Sequence, residues 1–238
     1  TIHSSRPCFA RRLNSGVSCH AMTAATEAQK IYLAKINEAV ARLKACDYFL
    51  DGYSKDPAAS LLEAAVLQMR KALEAVAYAA IAPNKAKYQQ FRAKAETPAD
   101  YRKDYNARAI LQHLAKINAD FYPAPLLPAT QVQPGHWHFE QKANGYLTKA
   151  RFESFYDRLG KFLHADNPWG NDKGVVNLVA DLPVTQSQLR ELLALHRIIV
   201  RTPDFLGAWV VEVPTDGRVP HIIVAQATGD FSVAGSGS

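Results

Sequence analysis

A chain of 238 residues, 48% of them hydrophobic, is long enough for one large domain with an appended subdomain and apolar enough for a sizeable core, which excludes wholesale disorder. Its formal charge is +6, but residues 1–21 hold Arg6, Arg11 and Arg12 and no acid; the rest balances 25 basic against 22 acidic residues, a body at +3 that permits contact with nucleic acid without arguing for it. No apolar run approaches the ~20 residues of a membrane span, so no membrane association is expected. Cys46 is the single cysteine of the body, Cys8 and Cys19 lying in the first 21 residues, and this points to a reducing, cytoplasmic setting.

Residues 1–21 are Ser/Arg-rich and without hydrophobic periodicity, and read as a disordered extension ahead of a natural start at Met22. An organellar transit peptide has the same composition. From Ala24 to about Leu50 the pattern is helical, with Leu33, Ile36, Val40, Leu43 and Leu50 at three-, four- and seven-residue steps and Asp51-Gly52 as the stop. Asp56-Pro57 then predicts a second helix, with Asp56 as N-cap and Pro57 at its first position. Leu62, Val66, Met69, Leu73, Val76 and Ala80 form its seam, the clearest core signal in the chain. Residues 85–119 predict one or two shorter helices broken near Thr97-Pro98. Pro123, Pro125 and Pro128 mark an extended loop, and His136 to Glu140 a short strand.

Thr148 is placed to cap a helix whose apolar stripe is Phe152, Phe155, Tyr156, Leu159, Phe162 and Leu163. Another helix covers much of 173–195, with Pro183 a candidate split. After His196 three β-branched runs, the last two separated by Asp216-Gly217, predict an antiparallel meander, with the strand near Trp137 a candidate fourth member. The fold class is mainly α (α+β), an up-and-down helical bundle over 22–195 followed by a small meander over 196–232 and a disordered tail over 233–238.

Cofactor motifs are absent from the sequence: no Gly-rich nucleotide loop, no G-K-[ST], no C-x-x-C, no G-x-S-x-G, and no cofactor is expected. His136-x-His138 on a strand would aim two rings to one face, but no further ligands are apparent and no metal site is expected. Glu63 and Glu74 share a helix face without an E-x-x-H partner, which suits salt bridges better than a di-metal centre. Arg158 and His164 remain. Arginine offers a planar fork to phosphate oxygens, and histidine moves a proton near neutral pH. Lys161, between them, could add charge for substrate binding. Six residues on an ideal helix leave the pair about 120° and 9 Å apart, so convergence needs a helix end near Asp166-Asn167-Pro168, a second copy of the chain, or both. The plain alternative is a surface ion pair at Arg158 and a helix-terminal cap at His164.

The arginine and histidine with five residues between them resemble the signature of the HEPN superfamily. Gln68-Met-Arg-Lys-Ala-Leu-Glu74 is similar to the helix that precedes the motif helix in bacterial members, and Leu163-His-Ala-Asp-Asn-Pro-Trp169 to the segment that follows the motif, so the resemblance covers about 22–195. It implies a dimeric helical domain and a metal-independent endoribonuclease of phage defence or stress response, with RNA as substrate and an antitoxin-like protein as a partner. Arg158 would hold the phosphate and His164 transfer the proton, in a cleft between two protomers. Leu159 departs from the polar residue usual after that arginine. A non-catalytic HEPN-like module binding protein or RNA is the competing expectation, and an enzyme built on His136, His138 and the meander a third.

Overall fold

The computed structural model describes residues 12–13, 17–18, 26–95, 100–133, 136–165, 169, 174–202, 205–216 and 218–227. The expected tail at 233–238, and all of the expected extension at 1–21 except 12–13 and 17–18, lie outside them. Among the described residues six α-helices run in order: α1 (Glu27–Lys55), α2 (Ala59–Ile81), α3 (Lys85–Ala93), α4 (Ala107–Ile117), α5 (Lys149–Leu163) and α6 (Val175–Ala194). The fold is mainly helical with a small antiparallel sheet at its C-terminal end.

The two long helices form an antiparallel pair, and α2 is the centre of the bundle, touching α1, α4, α5 and α6. All six seam residues of α2 are buried, and its second half adds Ala72, Ala75, Ala77 and Ala79 to the interior. Alanines on that many faces let neighbours approach from several directions, where a single amphipathic stripe would serve one. Thr26 caps α1 through a capping box with Gln29.

The stop expected at Asp51-Gly52 does not occur. A glycine in a helix interior costs only about 1 kcal/mol, and Phe49, Leu50 and Tyr53 pack against the core and carry α1 on to Lys55. Asp56 is thereby used as the C-cap of α1, its N–H bonded to Gly52 O at 2.9 Å. The N-cap of α2 is therefore Ala58, with no side-chain bond, in place of Asp56. Pro183 lies inside α6 without splitting it, because Leu178, Leu182, Leu189, Leu192 and Leu193 are buried along its whole length.

The main sheet has six strands in the order β1-β2-β8-β7-β6-β3: β1 (Arg12–Leu13), β2 (Val17–Ser18), β3 (Ala124–Pro125), β6 (Leu195–Thr202), β7 (Phe205–Glu212) and β8 (His221–Ala227), all antiparallel neighbours. The meander β6-β7-β8 is as expected. The strand near Trp137 is not its fourth member: β5 (His136–His138) pairs with β4 (Thr130–Gln133) in a separate ribbon, and the proline-rich stretch supplies β3 instead.

Bundle and sheet are joined by buried polar contacts. The Tyr32 hydroxyl donates to His196 Nε2 at 2.7 Å, and His196 Nδ1 donates to Leu193 O at 3.0 Å. Both protons are placed as a neutral imidazole requires, and full burial lowers the His196 pKa to about 4. A second tie runs from Asn118 Nδ2 to Asn84 Oδ1 at 3.0 Å and to Ile199 O at 3.2 Å, while Asn84 Nδ2 bonds Ala80 O at 3.0 Å.

Candidate functional site

The α5 segment begins as its sequence dictates. Thr148 accepts from Arg151 N at 3.3 Å as N-cap, and Phe152, Phe155, Tyr156, Leu159 and Phe162 are buried at three- and four-residue steps. Leu159 is fully buried in the core, so the residue after Arg158 packs the bundle.

A basic row flanks the apolar stripe. Arg151 and Arg158, seven residues apart, share a face, and both reach across to α6. Arg158 Nη1 donates to Asp181 Oδ2 at 2.5 Å, and Arg151 Nη2 lies 3.5 Å from Asp181 Oδ1. Two guanidinium groups on one carboxylate hold Asp181 below the usual carboxylate range, the Arg158 hydrogen bond being the largest cause. The cluster of two arginines and one aspartate keeps a positive excess, and Lys161 adds an exposed charge one turn further on.

The helix ends where the proline-containing sequence indicates. Leu163 is its last residue, and His164 is the C-cap with extended backbone (φ −77°, ψ 154°) and an exposed side chain. The expected turn at Asp166-Asn167-Pro168 lies outside the described residues. Of the three sequence-predicted site residues, Arg158 is half-buried against α6, Lys161 is exposed, and His164 sits at the helix terminus. Arg158 takes its carboxylate partner from α6.

Behind the stripe, α5 is clamped to α2. Arg70 Nη1 donates to Tyr156 O at 3.0 Å and Nη2 to Tyr156 Oη at 2.6 Å; that hydroxyl donates to Glu74 Oε1 at 2.9 Å, and Arg70 Nε lies 3.3 Å from the same oxygen. The guanidinium also stacks over the Tyr156 ring, 3.9 Å from its centroid. Glu74 is thus spent on α5, while Glu63 is exposed. Burial, with Glu74 adding to it, pushes the Tyr156 phenol up to about 12. Gly160 makes the clamp possible: a Cβ there would lie 2.6 Å from Arg70 Nη1.

Sequence reasoning missed Asp181 and the Arg70–Tyr156–Glu74 clamp. The spacing of charges within α5 carries no information about which residue of another helix faces it. His138 is exposed, and among the described residues no three His, Cys, Asp or Glu side chains lie together as a metal would require. No helix among the described residues is long and apolar enough to cross a membrane. Comparison with known proteins gave no match to a family model, a curated protein or a solved structure.

Proposed function

We propose that the chain is a HEPN-like metal-independent endoribonuclease of phage defence or stress response, working as a homodimer on RNA through Arg158 and His164. The observation that carries the reading is the termination of α5 at Leu163, which leaves His164 exposed on an extended backbone, off the helical lattice that would hold it about 120° from Arg158. Two such helix ends meeting across a two-fold axis bring together two arginines and two histidines.

The chemistry follows from those groups. One histidine takes the proton of a 2′-hydroxyl, the oxygen attacks the adjacent phosphorus, and the other returns a proton to the departing 5′-oxygen. The Arg158 fork holds the phosphate oxygens as charge builds on them. Lys161, exposed one turn away, adds attraction for the RNA backbone. Asp181 occupies the fork, so a phosphate must displace it.

That occupied fork, together with the buried Leu159, favours a second reading: a HEPN-like module that binds protein or RNA without cutting. RNA cleavage by the full chain in EDTA separates the two. The first reading expects cleavage that falls about a hundredfold or more in Arg158→Ala and His164→Ala and rises in Asp181→Asn. Folded variants that cut like the parent would refute it. Binding without cleavage in every variant would leave the second.

A further inference from the structure

A cleft of about 230 Å³ opens between the segment that follows α4, the residues leading into α5 and the outer end of β6, away from Arg158 and His164 in the lining it uses. Its walls mix two chemistries. Pro123, Pro125 and Ile199 supply an apolar side, while Arg197, Lys149 and Tyr146 supply cations and a phenol. We infer that this cleft binds a small organic monocarboxylate, an anion with an apolar body, on the Arg197 guanidinium.

Arg197 is the decisive residue. It stands on β6 opposite Ala124 of the edge strand β3, which keeps its side chain half-buried beside the cleft. A guanidinium partly withdrawn from water is commonly matched by a carboxylate. Here the side chain donates from Nη2 to Gln141 Oε1 at 3.2 Å, a neutral amide. Asp120, whose charge acts on Arg197 in the opposite sense to burial, is itself engaged by Arg201 Nη2 at 2.8 Å. Burial consequently lowers the Arg197 pKa from its ordinary value, the direction expected of a cation lacking full compensation. A carboxylate would supply it, in the two-pronged geometry that arginine favours.

The rest of the lining narrows the ligand. Lys149 is the first residue of α5, so its amide has no acceptor within the helix and forms part of the positive end of the helix dipole. Its own Nζ rests on Glu153 at 2.8 Å, which leaves it a secondary contributor. Asp120 lines the same cleft and would repel a second negative charge, which disfavours a phosphate dianion. The volume suits a ring with one carboxyl group, since a cavity of roughly 150 Å³ already admits benzene.

Benzoate, benzamide and inorganic phosphate, titrated calorimetrically into the full chain, test the assignment. Benzoate is expected to bind one to one. Benzamide, of the same shape but uncharged, is expected to bind roughly tenfold more weakly or worse, and Arg197→Gln to lose affinity for benzoate by a similar factor. Lys149→Ala is expected to lose only about twofold to threefold. No benzoate binding at about 10 mM, equal binding of benzamide, or tighter binding of phosphate would each overturn the inference. Should Arg197→Gln fail to fold, the comparison of benzoate with benzamide in the parent decides alone.

Discussion

Gly160→Ala is the most discriminating single change in the bundle. In an exposed helix interior the substitution stabilises by about 0.5–1 kcal/mol, because alanine has less backbone freedom to lose. At Gly160 the new methyl would lie 2.6 Å from Arg70 Nη1. The guanidinium can swing away, but it then leaves its hydrogen bonds to Tyr156 O and Tyr156 Oη. Bonds to a charged donor contribute roughly 1.5–3 kcal/mol, a figure to be discounted because the Arg70 side chain is 22% exposed and water replaces part of what is lost. The net expectation is a loss of about 1 kcal/mol, or a melting point lower by roughly 2–4 °C. The sign should reverse once the arginine is gone: in an Arg70→Ala background, Gly160→Ala should stabilise by about 0.5–1 kcal/mol. Urea unfolding of the four proteins completes the cycle. Equal stabilisation by Gly160→Ala in both backgrounds would refute the clamp.

The buried His196 makes stability depend on pH. Its pKa of about 4 in the fold lies below the ordinary 6.5, so the unfolded chain takes up a proton first as pH falls; stability drops from about pH 6.5 and levels off near pH 4. Between pH 7 and pH 5 this amounts to about 2 kcal/mol, and His196→Gln, although weaker at pH 7, should show a smaller decline in urea titrations. Asn118→Leu strands Asn84 Oδ1 and Ile199 O in the interior and should cost about 2–4 kcal/mol by the same measurement; a cost under about 0.5 kcal/mol would deny the tie its role. Cys46 is fully buried, and burial pushes its thiol up to about 12, so iodoacetamide should leave it unmodified at pH 8 and label it in urea; labelling of the native chain, read by peptide mass spectrometry, would contradict its placement.

How much of this was legible depended on whether the information was local. The α2 seam and the α5 stripe are written at helical spacing, and both are buried as read. Thr148 is a short-range signal and caps α5 as expected, and the helix ends at Leu163. Asp51-Gly52 does not end α1, because that pair is a strong breaker only when nothing beyond it is packed, and Tyr53 is. The edge strand β3 was hidden in a proline-rich stretch, since a two-residue strand against β6 leaves no alternation to detect. At the candidate site, the exposed end of α5 was visible and its counter-charge was not. Asp181 lies 23 residues beyond Arg158 on another helix, and only the crossing of α5 and α6 brings them together.

The sheet has a bearing on how two copies of this chain could associate. Among the described residues its edge strand β3 is two residues long, and one of the two is Pro125, which has no amide hydrogen to donate. Stubs of this kind give an incoming strand almost no ladder to extend and protect a sheet from edge-to-edge growth. Continuing the main sheet from its β3 edge is therefore poorly supported as a route to self-association. For the dimer proposed to unite two α5 ends, one competitor, a sheet fused at β3, is disfavoured by the brevity of that edge.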